Sequence, residues 1–99
     1  MFKMNFTEKV YNLCRKIPKG KISTYYEIAY ALNLKVYRAV GNALNKNKSK
    51  QVPCHRVIKS SGEIGGFNKG TKNKIKLLKK EGIIIKNNKI NLNKYSNKL

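Results

Sequence analysis

Phe6, Val10, Leu13, Cys14 and Ile17 follow one another at intervals of four, three, one and three residues, which places all five on a single face of an α-helix. An apolar face of that kind is stable only when other elements cover it, so the chain is committed to helices layered on a shared core. Asn5 or Thr7 can cap the helix start, and Pro18-Lys19-Gly20 stops it. Cys14 lies inside the stripe and reads as a small buried hydrophobe. Ser23 or Thr24 can cap a second helix, Tyr25 to Leu32, with Glu27 set for a capping box and Asn33 ending it. A third, Lys35 to Leu44, presents Val36, Val40 and Leu44 together and leaves Tyr37, Arg38 and Gly41 on other faces. Two short helices joined by a tight turn predict a helix-turn-helix.

The polar run NKNKSKQ reads as a loop leading into VPCHRVI, a short apolar piece suited to a buried strand or a turn. SSGEIGGFNKG is punctuated by glycine and is expected to be irregular. Thr71 to Glu81 reads as a basic helix with Ile75, Leu77 and Leu78 as its apolar residues and Gly82 as the C-terminal glycine. IIIKNNKINL predicts a hairpin turning at Asn87-Asn88, since asparagine tolerates positive φ, and the tail KYSNKL is expected to fray. The 99 residues are expected to form a single domain, 1–99, whose modest core leaves no room for a large buried cavity. No apolar run approaches the roughly 18 residues of a membrane span. MFKMNFTEKV lacks an apolar stretch followed by a small-residue cleavage site, so a cytoplasmic location is expected.

Twenty-three Lys and Arg against four Asp and Glu give a net charge of +19, spread along the whole chain. Such a balance points to a polyanionic partner bound through its phosphates, without identifying it. Cys14 and Cys54 lie far apart, and with one histidine and no CxxC pair they cannot supply the four ligands of a structural zinc site. No metal and no cofactor are expected.

VPCHRV sets Cys54 between Pro53 and His55, the only histidine of the chain. A free thiol is mostly protonated near neutral pH, and a neighbouring base or positive charge raises its thiolate fraction. Adjacency alone does not decide the matter, because neighbours on a strand point to opposite faces. Cys54 therefore reads either as a nucleophile or as a buried structural thiol. The run SGEIGGF lacks the order of a phosphate-cradling loop, and Glu81, at the end of a lysine-rich helix, reads by itself as a surface ion-pair partner.

Taken together, the blocks KGKISTYYEIA, RAVGNALNKN, PCHRV, SSGEIGGF and LLKKEG, in that order, resemble the O6-alkylguanine-DNA alkyltransferases, also called methylated-DNA–protein-cysteine methyltransferases. The resemblance implies a mainly α domain with a small β wing, the winged helix-turn-helix-like C-terminal domain of that family, without the N-terminal domain that usual members carry. It implies irreversible, single-turnover transfer of an alkyl group from O6 of a flipped guanine in duplex DNA to Cys54, by a monomer and without cofactor. His55 matches the base acting through a water, and Glu81 the carboxylate that orients it. Tyr25 matches a hydrogen-bond donor to the departing guanine, and also assists rotation of the phosphate behind the flipped nucleotide. Asn47 matches an asparagine tying the recognition helix to the active-site strand, with Asn45 as the alternative. Arg38 matches an arginine filling the vacated stack, where charge alone suggests a phosphate contact. Thr24, Ala39 and Gly41 share the implied DNA surface, which in the family faces the minor groove. Val57, Gly65, Phe67 and Asn68 match the lining of the guanine pocket, and Lys69 stands where glycine is frequent. The alkyltransferase-like relatives bind the same lesions without transfer because the cysteine is replaced, whereas Cys54 is intact. Two alternatives are a lesion-binding protein that flips the base without chemistry and a general basic winged-helix protein with an ordinary buried Cys54.

Overall fold

In the computed structural model, which describes residues 4–35, 37–67 and 69–98, the first apolar stripe forms α1 (Phe6–Arg15). Asn5 is its cap, accepting the Glu8 N–H at 2.9 Å. Val10, Cys14 and Ile17 are fully buried. Thr24 caps α2 (Tyr25–Ala31), its hydroxyl accepting the Glu27 N–H at 3.0 Å. Asn33 then adopts φ +57° and the Leu34 N–H returns to the Ala29 carbonyl at 2.9 Å, a left-handed helix ending that asparagine tolerates. α3 then runs Arg38–Asn45, three residues later than the spacing predicts. Val36 lies outside the described residues. α2, the turn and α3 form the helix-turn-helix.

VPCHRVI supplies both of its expected structures in succession, a 3-10 turn at Cys54–Arg56 and then β2 (Val57–Ile58). β2 pairs in parallel with β1 (Ser23–Thr24), Ser23 opposite Val57 and Thr24 opposite Ile58. Alternation along so short a ladder sends Val57 into a cluster with α1, α2 and α3, and Ile58 into a second cluster with Ile22, Ile64, Leu78, Ile83, Ile90 and Tyr95. The ladder thus joins the two cores, and the turn carrying Cys54 is anchored where they meet.

α4 (Thr71–Lys80) ends on Glu81, with Gly82 at φ +90° and the Ile83 N–H reaching back to the Leu78 carbonyl at 3.1 Å. This glycine closure fixes Glu81 at the helix terminus. β3 (Ile85–Lys86) and β4 (Lys89–Ile90) make the hairpin, with Asn87 at φ +51° and Asn88 at φ +63°, as a two-residue type I′ turn requires. Among the described residues no helix is long and apolar enough to cross a membrane.

The tail does not fray as expected. Asn91 caps α5 (Leu92–Tyr95) by accepting the Asn93 and Lys94 N–H groups, Tyr95 is buried, and the Asn97 N–H bonds the Ile22 carbonyl at 2.9 Å. The Tyr95 hydroxyl also accepts the Ile84 N–H at 3.2 Å. Tyr95→Ala is expected to cost about 3 kcal/mol in urea unfolding, because it opens a cavity in the second core and orphans that N–H.

Candidate active site

Pro53, at φ −79° and ψ 64°, turns the chain into the 3-10 segment, where the Arg56 N–H bonds the Pro53 carbonyl at 3.0 Å. With three residues per turn, consecutive side chains diverge by about a third of a revolution rather than pointing to opposite faces. Cys54, His55 and Arg56 therefore fan out from one short turn, each partly exposed. Asn47 sits behind the sulfur, nearly buried, with Nδ2 3.4 Å from Cys54 Sγ and 3.0 Å from the Val52 carbonyl. Its Oδ1 accepts the Ser49 N–H at 2.9 Å. Asn45 is exposed at the end of α3. An amide N–H aimed at a sulfur favours negative charge there.

His55 Nε2 lies 2.9 Å from Glu81 Oε2. A carboxylate only accepts, so Nε2 carries the proton and Nδ1 presents the lone pair of a base. Glu81 is held in turn by Arg56, whose Nε donates to Oε1 at 2.9 Å and Nη2 to Oε2 at 2.7 Å. Arg56 Nη1 donates to the Ile17 carbonyl at 2.8 Å, which ties this cluster to the end of the first helical segment. Burial alone pushes the Glu81 carboxyl up, but the hydrogen bonds from Arg56 and His55 outweigh it and hold the group below its ordinary value. The carboxylate is ionised at neutral pH, and one edge of a planar guanidinium grips both of its oxygens. The sequence does not pair Arg56 with Glu81, because the two lie 25 positions apart.

Lys74 is fully buried on the inner side of α4. Its ammonium donates to the Val57 carbonyl at 2.7 Å, the Gly66 carbonyl at 3.1 Å and the Tyr25 hydroxyl at 3.4 Å. Three donors meet three acceptors, and this one side chain joins the strand after Cys54, the glycine loop and α2. Burial lowers its pKa to about 8, partly countered by Cys54. Burial raises that of Tyr25 to about 12, with the two cysteines adding to the effect. The Tyr25 hydroxyl donates to the Gly66 carbonyl at 3.4 Å. Gly65, at φ +75°, lies so close to Tyr25 and Lys74 that a Cβ would sit 3.6 and 3.8 Å from them. The signal for Lys74 was its spacing, four before Leu78 and seven before Glu81, which puts all three on one helical face. Charge masked it.

The structure gathers Cys54, Tyr25 and Phe67 around one slot, walled also by Gly41 and Gly66, of only about 10 Å³. A space that small scarcely holds a water. Val57, fully buried, offers its carbonyl to Lys74 rather than to that slot. Asn68 lies outside the described residues. On its other side Cys54 faces an open cavity of about 360 Å³, lined also by His55, Phe67 and Leu77. Tyr25, Arg38 and Gly41 border a larger cleft of about 560 Å³ with Tyr26, Tyr37 and Lys59, three residues that sequence reasoning did not single out for it. Thr24 and Ala39 are not among its walls, and Thr24 is engaged as the α2 cap. Cys14 is sealed in the first core, where burial pushes its thiol up to about 12. Among the described residues no three His, Cys, Asp or Glu side chains group to hold a metal ion.

Residues 5–83 match the family described as 6-O-methylguanine DNA methyltransferase, DNA binding domain. A methylated-DNA–protein-cysteine methyltransferase of Sulfolobus acidocaldarius is 48% identical over 86 residues, which span 86% of this chain and 54% of that protein. The chain spans about half the length, or less, of the curated relatives it matches. S. pombe Atl1, solved in complex with damaged DNA containing O6-carboxymethylguanine, superposes with a TM-score of 0.86 at 34% identity, covering all of both chains. Mycobacterium tuberculosis OGT in complex with DNA superposes with a TM-score of 0.74 at 36% identity over 81% of this chain and 51% of that one. With its cysteine-bearing turn, carboxylate-held imidazole and helix-turn-helix arranged on one small scaffold, the chain belongs to the family of the 6-O-methylguanine DNA methyltransferase DNA-binding domain.

Proposed function

We propose that this chain repairs DNA as a single-domain, cytoplasmic monomer that binds duplex DNA, flips an O6-alkylguanine and moves the alkyl group to Cys54. The supporting observation is two clusters meeting at one short turn, Asn47–Cys54 and His55–Glu81–Arg56, a sulfur with an amide donor behind it and, on the next residue, an oriented base. His55 Nδ1 takes the thiol proton through a water, the sulfur attacks the alkyl carbon in line, and the C–O6 bonding electrons remain with guanine. Tyr25 hydrogen-bonds the departing base, where charge develops. Arg38, exposed at the first turn of α3, fills the vacated stack, and Thr24, Ala39 and Gly41 lie along the DNA-facing elements. The slot of about 10 Å³ widens by movement of Tyr25 or Phe67 to admit the base. The net charge of +19 adds a salt-sensitive, sequence-independent attraction to phosphates.

A second reading, lesion binding that marks the site without transfer, draws support from the full-length likeness to Atl1. Incubation with a duplex containing O6-methylguanine separates the two. Transfer adds the mass of one methyl group to the Cys54 peptide, and Cys54→Ala abolishes that addition. Tight lesion binding with an unmodified peptide supports the second reading and rejects transfer.

A further inference from the structure

Cys54 stands at a partition. The narrow slot lies on its Tyr25 side, the open cavity of about 360 Å³ on the other, and Phe67 lines both. In-line displacement requires sulfur, carbon and O6 to share one line, so the remainder of any substituent longer than methyl leaves that line sideways. The open cavity is the adjoining space with room for it.

The cavity has a marked charge asymmetry. Lys50, from the loop before Pro53, and Lys69, from the glycine loop, both line it together with His55, and no carboxylate does so among the described residues. Glu81, which does not line the cavity, is already engaged by His55 and Arg56. Asn47 and Ser49 add polar groups to one wall, while Leu77 and Phe67 supply an apolar one. We propose that this cavity is a receptor for negatively charged O6 substituents, so that adducts ending in a carboxylate are preferred over neutral adducts of equal size. The proposal rests on the alkylguanine reading above and specifies its substrate class.

For a carboxymethyl adduct, the Sγ–CH2 bond forms as the CH2–O6 bond breaks. The electron pair of the broken bond stays with guanine, which takes up a proton, and the thiol proton passes to His55. S-carboxymethylcysteine remains, its carboxylate facing Lys50 and Lys69. The overall charge of the chain acts alike on the phosphates of both duplexes, so a preference that depends on Lys50 and Lys69 is local to the adduct. Both lysines are exposed, so their joint effect is bounded at about three- to tenfold.

The test uses two otherwise identical duplexes, one with O6-carboxymethylguanine and one with its neutral isostere, O6-carbamoylmethylguanine. Affinity is read by fluorescence anisotropy, and single-turnover modification of the Cys54 peptide by mass spectrometry. The expected result is an affinity or rate ratio of about three to ten in favour of the carboxylate at low salt, shrinking as ionic strength rises. In Lys50→Gln/Lys69→Gln the ratio falls toward one, and any general loss of DNA affinity divides out. A wild-type ratio at or below one, or a ratio unchanged in the double variant, overturns the proposal. If the affinity ratio holds but neither duplex modifies Cys54, transfer fails and the receptor stands. Equal modification of both duplexes at equal affinity leaves transfer intact and removes the receptor.

Discussion

Glu81→Gln is expected to slow alkyl transfer to Cys54 by about a hundredfold, the lower range of what a positioned general base contributes. The glutamine amide fills the same space, but it removes the negative charge that favours imidazolium and no longer dictates which ring nitrogen of His55 carries the proton. It also leaves Arg56 facing a neutral group across what was a bidentate ion pair. The measurement is the single-turnover rate of Cys54 methylation beside the affinity for the same duplex, which should stay within about threefold since Glu81 lies in the His55 and Arg56 cluster rather than on the cleft wall. A rate within about fivefold of the wild type would remove Glu81 from the mechanism. The variant should also flatten the acid limb of stability. The carboxyl pKa is lower folded than unfolded, so its stabilising contribution is present above its ordinary value of 4.5 and lost as pH falls through the lower folded value.

Lys74→Ala is expected to destabilise the protein by about 4 kcal/mol, through a buried void together with the loss of the ammonium donor to the buried Val57 carbonyl and of its bond to the Gly66 carbonyl. Lys74→Met keeps most of the volume and costs less. The two proteins then separate with pH in a direction set by linkage. The unfolded lysine holds its proton to about pH 10.5 and the folded one only to about 8, so between these values unfolding takes up a proton and rising pH favours the folded state. Wild type should gain on Lys74→Met across that window, by up to about 3 kcal/mol. Cys14 and Tyr25, whose folded forms retain their protons longer, work in the opposite direction as pH rises through their ordinary values of 9.0 and 10.0. Cys14 does so in both proteins and cancels, whereas Tyr25 touches Lys74, so the sign is read between pH 7 and 8.5, below the ordinary Tyr25 value. Chemical denaturation at pH 7, 8.5 and 10 checks the sign, and a gap that closes with pH would show that folding raises the lysine pKa instead of lowering it.

The parts that could be read beforehand are those whose cause is local. The Phe6 to Ile17 stripe needs only the helical period, the Asn87-Asn88 turn needs only the tolerance of asparagine for positive φ, and Gly82 ends α4 for the same kind of reason. Cys54 and His55 drew attention because the reactive residue types stand side by side. Lys74 did not, since a lysine in a helix of lysines is by default a solvated one, and only the carbonyls of Val57 and Gly66 make its burial tolerable. Tyr95 was assigned to a frayed end for want of any long-range information, yet the second core is incomplete without it. Arg56 could not be paired with Glu81 from position alone.

Residue order by itself determined the helical stripes, the turns, the basic character and the adjacency of thiol and imidazole, because each depends on neighbours within a few positions. The tertiary structure decided which ring nitrogen of His55 is free, which asparagine stands behind the sulfur, and that a lysine joins the strand, the glycine loop and Tyr25. Those outcomes depend on hydrogen-bond partners brought together from distant segments at separations of about 3 Å, a scale that folding sets and spacing along the chain does not.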